Sequence, residues 1–213
     1  LIAAFLAATA WPSASRAQCS GPTNIGTPVC QSAISIADGA GDGDGDLDVI
    51  SAGYQGPAGP KTEKLINNGA GVFTATTFGV QMLDGKSTAS VGDIDGDGDV
   101  DLILAGSAGP GGATNRLDKY LNDGSGNFTG PTAFGTPIRA GVTALGDVDN
   151  DGDMDLIVIG SNGATKTMWR YVNDGTGTFT ATIFGTPVTY PSISLGDIDG
   201  DGAIDLIVAG QTG

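Results

Sequence analysis

Short runs of alternating polar and apolar residues recur along this chain. Each is followed, after an acidic stretch, by a denser apolar run. The alternating runs are Ser32 to Ile36, Thr88 to Val91, Val142 to Leu145 and Ser192 to Leu195. The denser runs are Val49-Ile50, Leu102-Ile103-Leu104, Leu156-Ile157-Val158-Ile159 and Leu206-Ile207-Val208. Each pair reads as two strands joined through the acidic stretch. A third strand ends each time in a turn signal: Lys64-Leu65-Ile66-Asn67-Asn68-Gly69, Lys119-Tyr120-Leu121-Asn122-Asp123-Gly124 and Arg170-Tyr171-Val172-Asn173-Asp174-Gly175. Asn-Gly and Asp-Gly accept the positive φ of tight hairpins. A fourth strand starts at a repeated aromatic (Phe73, Phe128, Phe179) and runs to a Phe-Gly pair (Phe78-Gly79, Phe134-Gly135, Phe184-Gly185).

Four antiparallel strands in about 50 residues make one blade of a β-propeller, and such blades stack face to face into a continuous core. The predicted fold is therefore all-β, a β-propeller of four-stranded antiparallel blades. Complete blades are expected over 31–81, 86–137 and 140–187, with a partial blade over 192–213. Asn24 to Val29 resembles the stretch Phe184 to Val188 and is expected to be an isolated blade strand. The small number of blades points to a fragment of a larger propeller.

The acidic stretches keep step with the strands. Their first positions fall at 40, 93, 147 and 197, so the spacings are 53, 54 and 50. In the second loop, positions 1, 3, 5, 7 and 9 are Asp93, Asp95, Asp97, Asp99 and Asp101. The third loop repeats them as Asp147, Asp149, Asp151, Asp153 and Asp155. The fourth has Asp197, Asp199, Asp201, Ala203 and Asp205. Like charges this close repel one another unless a cation lies among them. Short carboxylates on a tight turn suit Ca²⁺, which takes six to eight oxygen ligands. Ala203 fits a frame in which position 7 coordinates through its backbone carbonyl. Position 6 is Gly98, Gly152 and Gly202, where the chain turns sharply. An EF-hand is excluded, because position 12 is Leu104, Val158 and Val208 rather than Glu. The first loop has Ala40 at position 1, followed by Asp42, Asp44, Asp46 and Asp48. It is expected to be a weaker or remodelled fourth site, with Asp38 the candidate replacement if the backbone bulges.

Charge adds one exclusion. Lys and Arg number 9 against 24 Asp and Glu, for a net −15. Nothing here could neutralise a run of phosphates, so no nucleic-acid partner is expected. Of the 24 acids, 18 lie in the four loops, and four Ca²⁺ at two charges each would bring −15 to −7. The acidity is local ligand supply. The chain has no His, hence no imidazole base. Apart from Asp38, the remaining acids, Glu63, Asp84, Asp118, Asp123 and Asp174, form no pair placed for glycoside hydrolysis. No catalytic residue is predicted, and the chain is not expected to be an enzyme.

Residues Leu1 to Trp11 are apolar or small and too few to span a bilayer. They fit the core of a secretory signal, with Ser15-Arg16-Ala17 as the cleavage site. Residues 1–17 are thus expected to be a signal peptide lacking its start, and 18–30 an N-terminal segment. No transmembrane segment is predicted. In an exported protein Cys19 and Cys30 can pair, closing a loop worth about 3 kcal/mol.

The acidic loops, the Asn-Asp-Gly-x-Gly-x-Phe turn and the Phe-Gly pair together resemble the FG-GAP/VCBS repeat family, which includes the integrin α-subunit propellers. The resemblance covers roughly residues 23–213. It implies a β-propeller with Ca²⁺ between the first and second strands of each blade. It also implies a secreted or cell-surface protein, here a non-catalytic adhesion or ligand-binding module for an extracellular protein or glycan. The alternatives are a structural spacer, or the propeller part of a larger secreted enzyme. The resemblance places ligands on the face away from the metal loops. Tyr54, Trp169 and Tyr190 are candidate sugar platforms there, unless they pack between blades. Trp169 aligns with Glu63 and Asp118, which points to an exposed blade edge.

Overall fold

Hairpin turns at short intervals leave this chain little choice but to fold as a meander. The computed structural model describes residues 30–38, 42–54, 59–82, 87–108, 114–163 and 165–211. The expected signal segment, the stretch 24–29, Cys19, Ala40 and Asp84 lie outside these residues, as do the side chains of Cys30 and Tyr54.

The first sheet is β1 (Cys30–Asp38), β2 (Leu47–Tyr54), β3 (Pro60–Asn67) and β4 (Phe73–Thr77). The second is β5 (Thr88–Gly92), β6 (Asp101–Ala108), β7 (Thr114–Asn122) and β8 (Phe128–Ile138). The third is β9 (Ala140–Gly146), β10 (Asp155–Ser161), β11 (Lys166–Asn173) and β12 (Phe179–Ile183). Strands within each sheet pair antiparallel in chain order. A last pair, β13 (Thr189–Gly196) and β14 (Asp205–Gln211), forms a two-stranded sheet. The described residues contain no helix, and they form stacked sheets rather than a closed barrel. None of them forms a helix long and apolar enough to cross a membrane.

The first strands stand side by side: β1 beside β5, β5 beside β9, and β9 beside β13. Their small hydroxyl residues allow this approach and bond across it. Ser35 Oγ donates to Ala89 O at 2.9 Å, and Ser90 Oγ meets Thr143 Oγ1 at 2.7 Å. The second strands lie between neighbouring sheets, which is why their apolar runs are unbroken. Every residue of β6 is buried, and all of β10 but its last. Between the first two sheets pack Ile50, Ala52, Leu102, Leu104 and Tyr120. Between the second and third pack Ile103, Leu117, Val158, Trp169 and Tyr171. Each large side chain buried this way contributes about 1.5–3 kcal/mol.

Trp169 corrects an expectation. It is 6% exposed and lies in the core between two sheets, not at an outer edge. The aligned Glu63 and Asp118 are buried as well. Each is held by a cation on its own strand: Lys61 Nζ is 2.5 Å from Glu63 Oε1, and Arg116 bonds both oxygens of Asp118, at 2.6 and 3.0 Å. Polar residues at the aligned positions marked paired burial, not exposure. The last hairpin is different, since β14 is largely exposed, Ile207 to 52%.

Candidate metal centre

The meander brings each acidic stretch to one end of its sheet, as the connection between first and second strands. In the second loop the position-1 carboxylate shapes the turn. Asp93 Oδ1 accepts from Gly96 N–H at 2.8 Å and Oδ2 from Gly98 N–H at 3.0 Å. Asp147 does the same from Asp151 and Gly152, and Asp197 from Gly200, Asp201 and Gly202. Position 4 needs positive φ throughout. It is Gly43, Gly96, Asn150 and Gly200, with φ of 70, 78, 63 and 81°. Asn is the residue that tolerates this region best after Gly.

Position 9 anchors the loop to the sheet. Asp101 is fully buried at the start of β6. Its Oδ2 accepts from Ile94 N–H at 3.0 Å and its Oδ1 from Asn122 N–H at 2.8 Å. Asp155 repeats both bonds with Val148 and Asn173. Asp48 accepts from Asn67 N–H at 2.8 Å. Each of these Asn residues also donates its Nδ2 to the carbonyl of the residue preceding that Asp: Leu47, Val100 and Met154. Asn67, Asn122 and Asn173 were legible only as turn formers. Their similar separations of 19, 21 and 18 residues from position 9 were the available signal.

Three sets of carboxylates converge: Asp93, Asp95 and Asp101; Asp147, Asp149 and Asp155; Asp197, Asp199 and Asp205. Within each set one oxygen per residue lies within 4.8 Å of the others. Oxygens bound to one Ca²⁺ at 2.3–2.6 Å stand no more than about 5 Å apart, so the spacing fits. The donors are all hard oxygens, which favours Ca²⁺ over a softer metal. In the second loop Asp95 Oδ1 is buried and has no hydrogen-bond partner among the described residues. A carboxylate oxygen left so is costly unless a cation meets it. Burial pushes Asp101 up to about 6, against the opposing pull of the Asn122 and Ile94 N–H groups. Burial also raises Asp155, and raises Asp95 with help from the Asp97 charge. Each of the three carboxylate sets could hold a metal ion.

Positions 5 and 7 stand apart from these sets. The position-5 residues Asp97, Asp151 and Asp201 each accept the N–H of position 7. The position-7 side chains turn onto the hairpin of the same sheet. A Cβ built on Gly124 would lie 2.7 Å from Asp99 Oδ2, and one on Gly175 would lie 2.7 Å from Asp153 Oδ2. Asp46 lies against Gly69 in the same way.

The first loop differs. Asp42, Asp44 and Asp48 form no such set among the described residues. Asp38 Oδ1 accepts from Gly45 N–H at 3.1 Å, the bond that Asp93 makes to the equivalent Gly98. Asp38 thus takes over the turn-shaping part of position 1. Asp44 Oδ1 accepts from Asp46 N–H at 3.0 Å, and Asp48 Oδ2 is buried without a partner among the described residues. The expected Cys19–Cys30 pairing lies outside the described residues.

No curated protein matches the chain. The FG-GAP-like repeat matches it three times, over residues 42–104, 93–158 and 147–208. Each match starts at an acidic loop and ends in the second strand of the following sheet, so successive matches overlap at the loops. With these matches running from residue 42 to 208, the chain belongs to the FG-GAP-like repeat family.

Proposed function

We propose that this chain is a Ca²⁺-stabilised repeat module of a secreted or cell-surface protein, with a non-catalytic surface for a protein or glycan. The observation that carries the metal reading is the threefold convergence of carboxylates at one place in the repeat, with Asp95 Oδ1 buried and without a partner among the described residues. The loops supply charge that the small sheets cannot hold alone. Two like charges 4.8 Å apart near a protein surface cost about 3–4 kcal/mol. Bound ions remove that cost, so folding and metal binding are coupled.

The binding role rests on the family and on the division of the module into two ends. The metal loops occupy one end of the sheets. At the other lie the β2–β3, β6–β7 and β10–β11 connections and the start of β13. Tyr190 stands at that second end, 82% exposed and with φ of 52°. It is the aromatic platform offered to a sugar ring.

Thermal melting in Ca²⁺ and in EDTA tests the metal part. Chelation is expected to lower the melting temperature by roughly 10 °C or more. Superimposable curves would refute it. A glycan array with Tyr190→Ala tests the platform: binding that survives the substitution removes Tyr190 from the surface.

A further inference from the structure

Three hairpins of one pattern join the third and fourth strands of the sheets, and one of them carries a different residue at its tip. The tips are Asn68-Gly69, Asp123-Gly124 and Asp174-Gly175. Their glycines have φ of 73, 73 and 76°. The bonds repeat as well. Asn68 Oδ1 accepts from Ala70 N–H at 3.1 Å and from Val72 N–H at 3.2 Å. Asp123 Oδ1 accepts from Ser125 and Asn127 N–H, and Asp174 Oδ1 from Thr176 and Thr178 N–H. Asn68 N–H donates to Val72 O as Asp174 N–H does to Thr178 O. The first hairpin therefore sets an amide where the other two set a carboxylate.

An Asn followed by Gly can react with its own backbone. Attack of the Gly nitrogen on the Asn Cγ closes a five-membered ring, and Gly has no side chain to obstruct the approach. Negative charge then develops on Oδ1, where N–H donors already in place lower the barrier. Ala70 and Val72 supply two such donors. Asn68 and Gly69 are exposed, and neither Asn68 Nδ2 nor Gly69 N–H bonds to a described residue. The leaving amine and the nucleophile are thus both open to water. The chain has one other Asn-Gly pair, Asn162-Gly163, which is exposed too. There the Asn162 carbonyl accepts from Asn115 Nδ2 at 2.9 Å. That bond pins the peptide unit that would have to swing for Gly163 N to attack.

We propose that Asn68 is a self-modification site, where the hairpin turns its own amide into a carboxylate and gains the acidic tip of the second and third sheets. Gly69 N loses its proton to solvent and bonds to Asn68 Cγ, while Ala70 and Val72 N–H hold the oxyanion. The Cγ–Nδ2 bond breaks, and the amine takes up a proton and leaves as ammonia. Water opens the ring. Cleavage of the new Cγ–N bond gives aspartate at position 68, and cleavage at the main-chain carbonyl gives isoaspartate. One water is consumed and one ammonia released, with no change of oxidation state.

Aspartate at this tip keeps both backbone bonds. Side-chain donors, Asn127 to Asp123 and Thr176 to Asp174, hold those two carboxyls below the usual range. Ala70 and Val72 have none to give, so the new charge rests on N–H groups alone. It falls beside the first acidic loop, where Asp46 lies against Gly69. Isoaspartate adds a carbon to the main chain of a turn closed by the Asn68–Val72 bond, and is the destabilising product.

The test is to age the whole protein in warm, neutral buffer containing Ca²⁺ and map it by peptide mass spectrometry, with isoaspartate scored separately. The expected result is a gain of about 1 Da at Asn68, at least about fivefold faster than at Asn162. In denaturant the two sites should react at equal rates, because the fold no longer distinguishes them. Asn68→Asp should melt within about 2 °C of the unaged protein. Folded protein in which Asn162 reacts as fast as Asn68 overturns the proposal. So does an Asn68 that reacts more slowly folded than denatured, since the hairpin would then protect it. A fall of about 5 °C or more in the melting of Asn68→Asp would show that this tip rejects a carboxylate, and would overturn it as well.

Discussion

Asn173 reaches across two sheets to the carbonyl of Ile94. Its Nδ2 donates to Ile94 O at 2.8 Å and to Met154 O at 3.1 Å, and the side chain is 2% exposed. Ile94 is position 2 of the second acidic loop, while Met154 belongs to the third. One turn residue therefore holds the acidic loop of its own sheet and that of the sheet before it. Asn173→Ala leaves buried carbonyls without a donor and should cost about 2 kcal/mol. Chemical denaturation checks this: the midpoint should fall with the slope unchanged. A loss under about 0.5 kcal/mol would place the bond among those with no net worth.

The Phe-Gly step should be intolerant of any side chain where a tyrosine lies on it. A Cβ on Gly135 would come within 2.6 Å of Tyr171 Cε1, and φ there is 58°. Gly135→Ala combines backbone strain of about 1–3 kcal/mol with that clash. Gly152→Ala carries strain alone, since nothing lies within 4 Å of its Cβ position. Thermal melting should rank Gly135→Ala clearly below Gly152→Ala. The reverse order would contradict the close seating of Tyr171 on Gly135.

Much of this was legible in the sequence, and the illegible part has a common cause. Leu102 to Leu104 announced a strand because burial on both faces demands an unbroken apolar run. The convergence of Asp93, Asp95 and Asp101 was legible because their spacing along the loop is local. Gly79 and Gly135 were visible as a motif, but their reason sits 40 and 35 residues away from the N–H groups that follow them, in Tyr120 and Tyr171. Asn122 looked like a turn former because the Asp it closes is 21 residues earlier. Trp169 was misread because alignment with Asp118 and Glu63 carries polarity but not the Arg116 and Lys61 that let those acids be buried.

Positions 7 and 9 of the acidic loops should separate sharply. Asp99 turns away from the convergent carboxylates onto Gly124, and its counterpart in the fourth loop is Ala203. Asp99→Ala should change stability in Ca²⁺ by no more than about 0.5 kcal/mol, as surface changes usually do. Asp101→Ala removes a fully buried carboxylate and strands the Ile94 and Asn122 N–H groups. It should cost about 3 kcal/mol or more in the same melts. Equal effects would mean that position 7 is a ligand through its side chain.

Calorimetric titration of the metal-free protein with Ca²⁺ tests the central claim most directly. The three convergent sets predict binding of three ions in loops two to four, with affinities in the range of about 10⁻⁵–10⁻³ M. Asp95→Asn is expected to weaken the second-loop ion at least tenfold and leave the other two in place. Absence of Ca²⁺ binding, or a titration that Asp95→Asn leaves unchanged, would contradict the account.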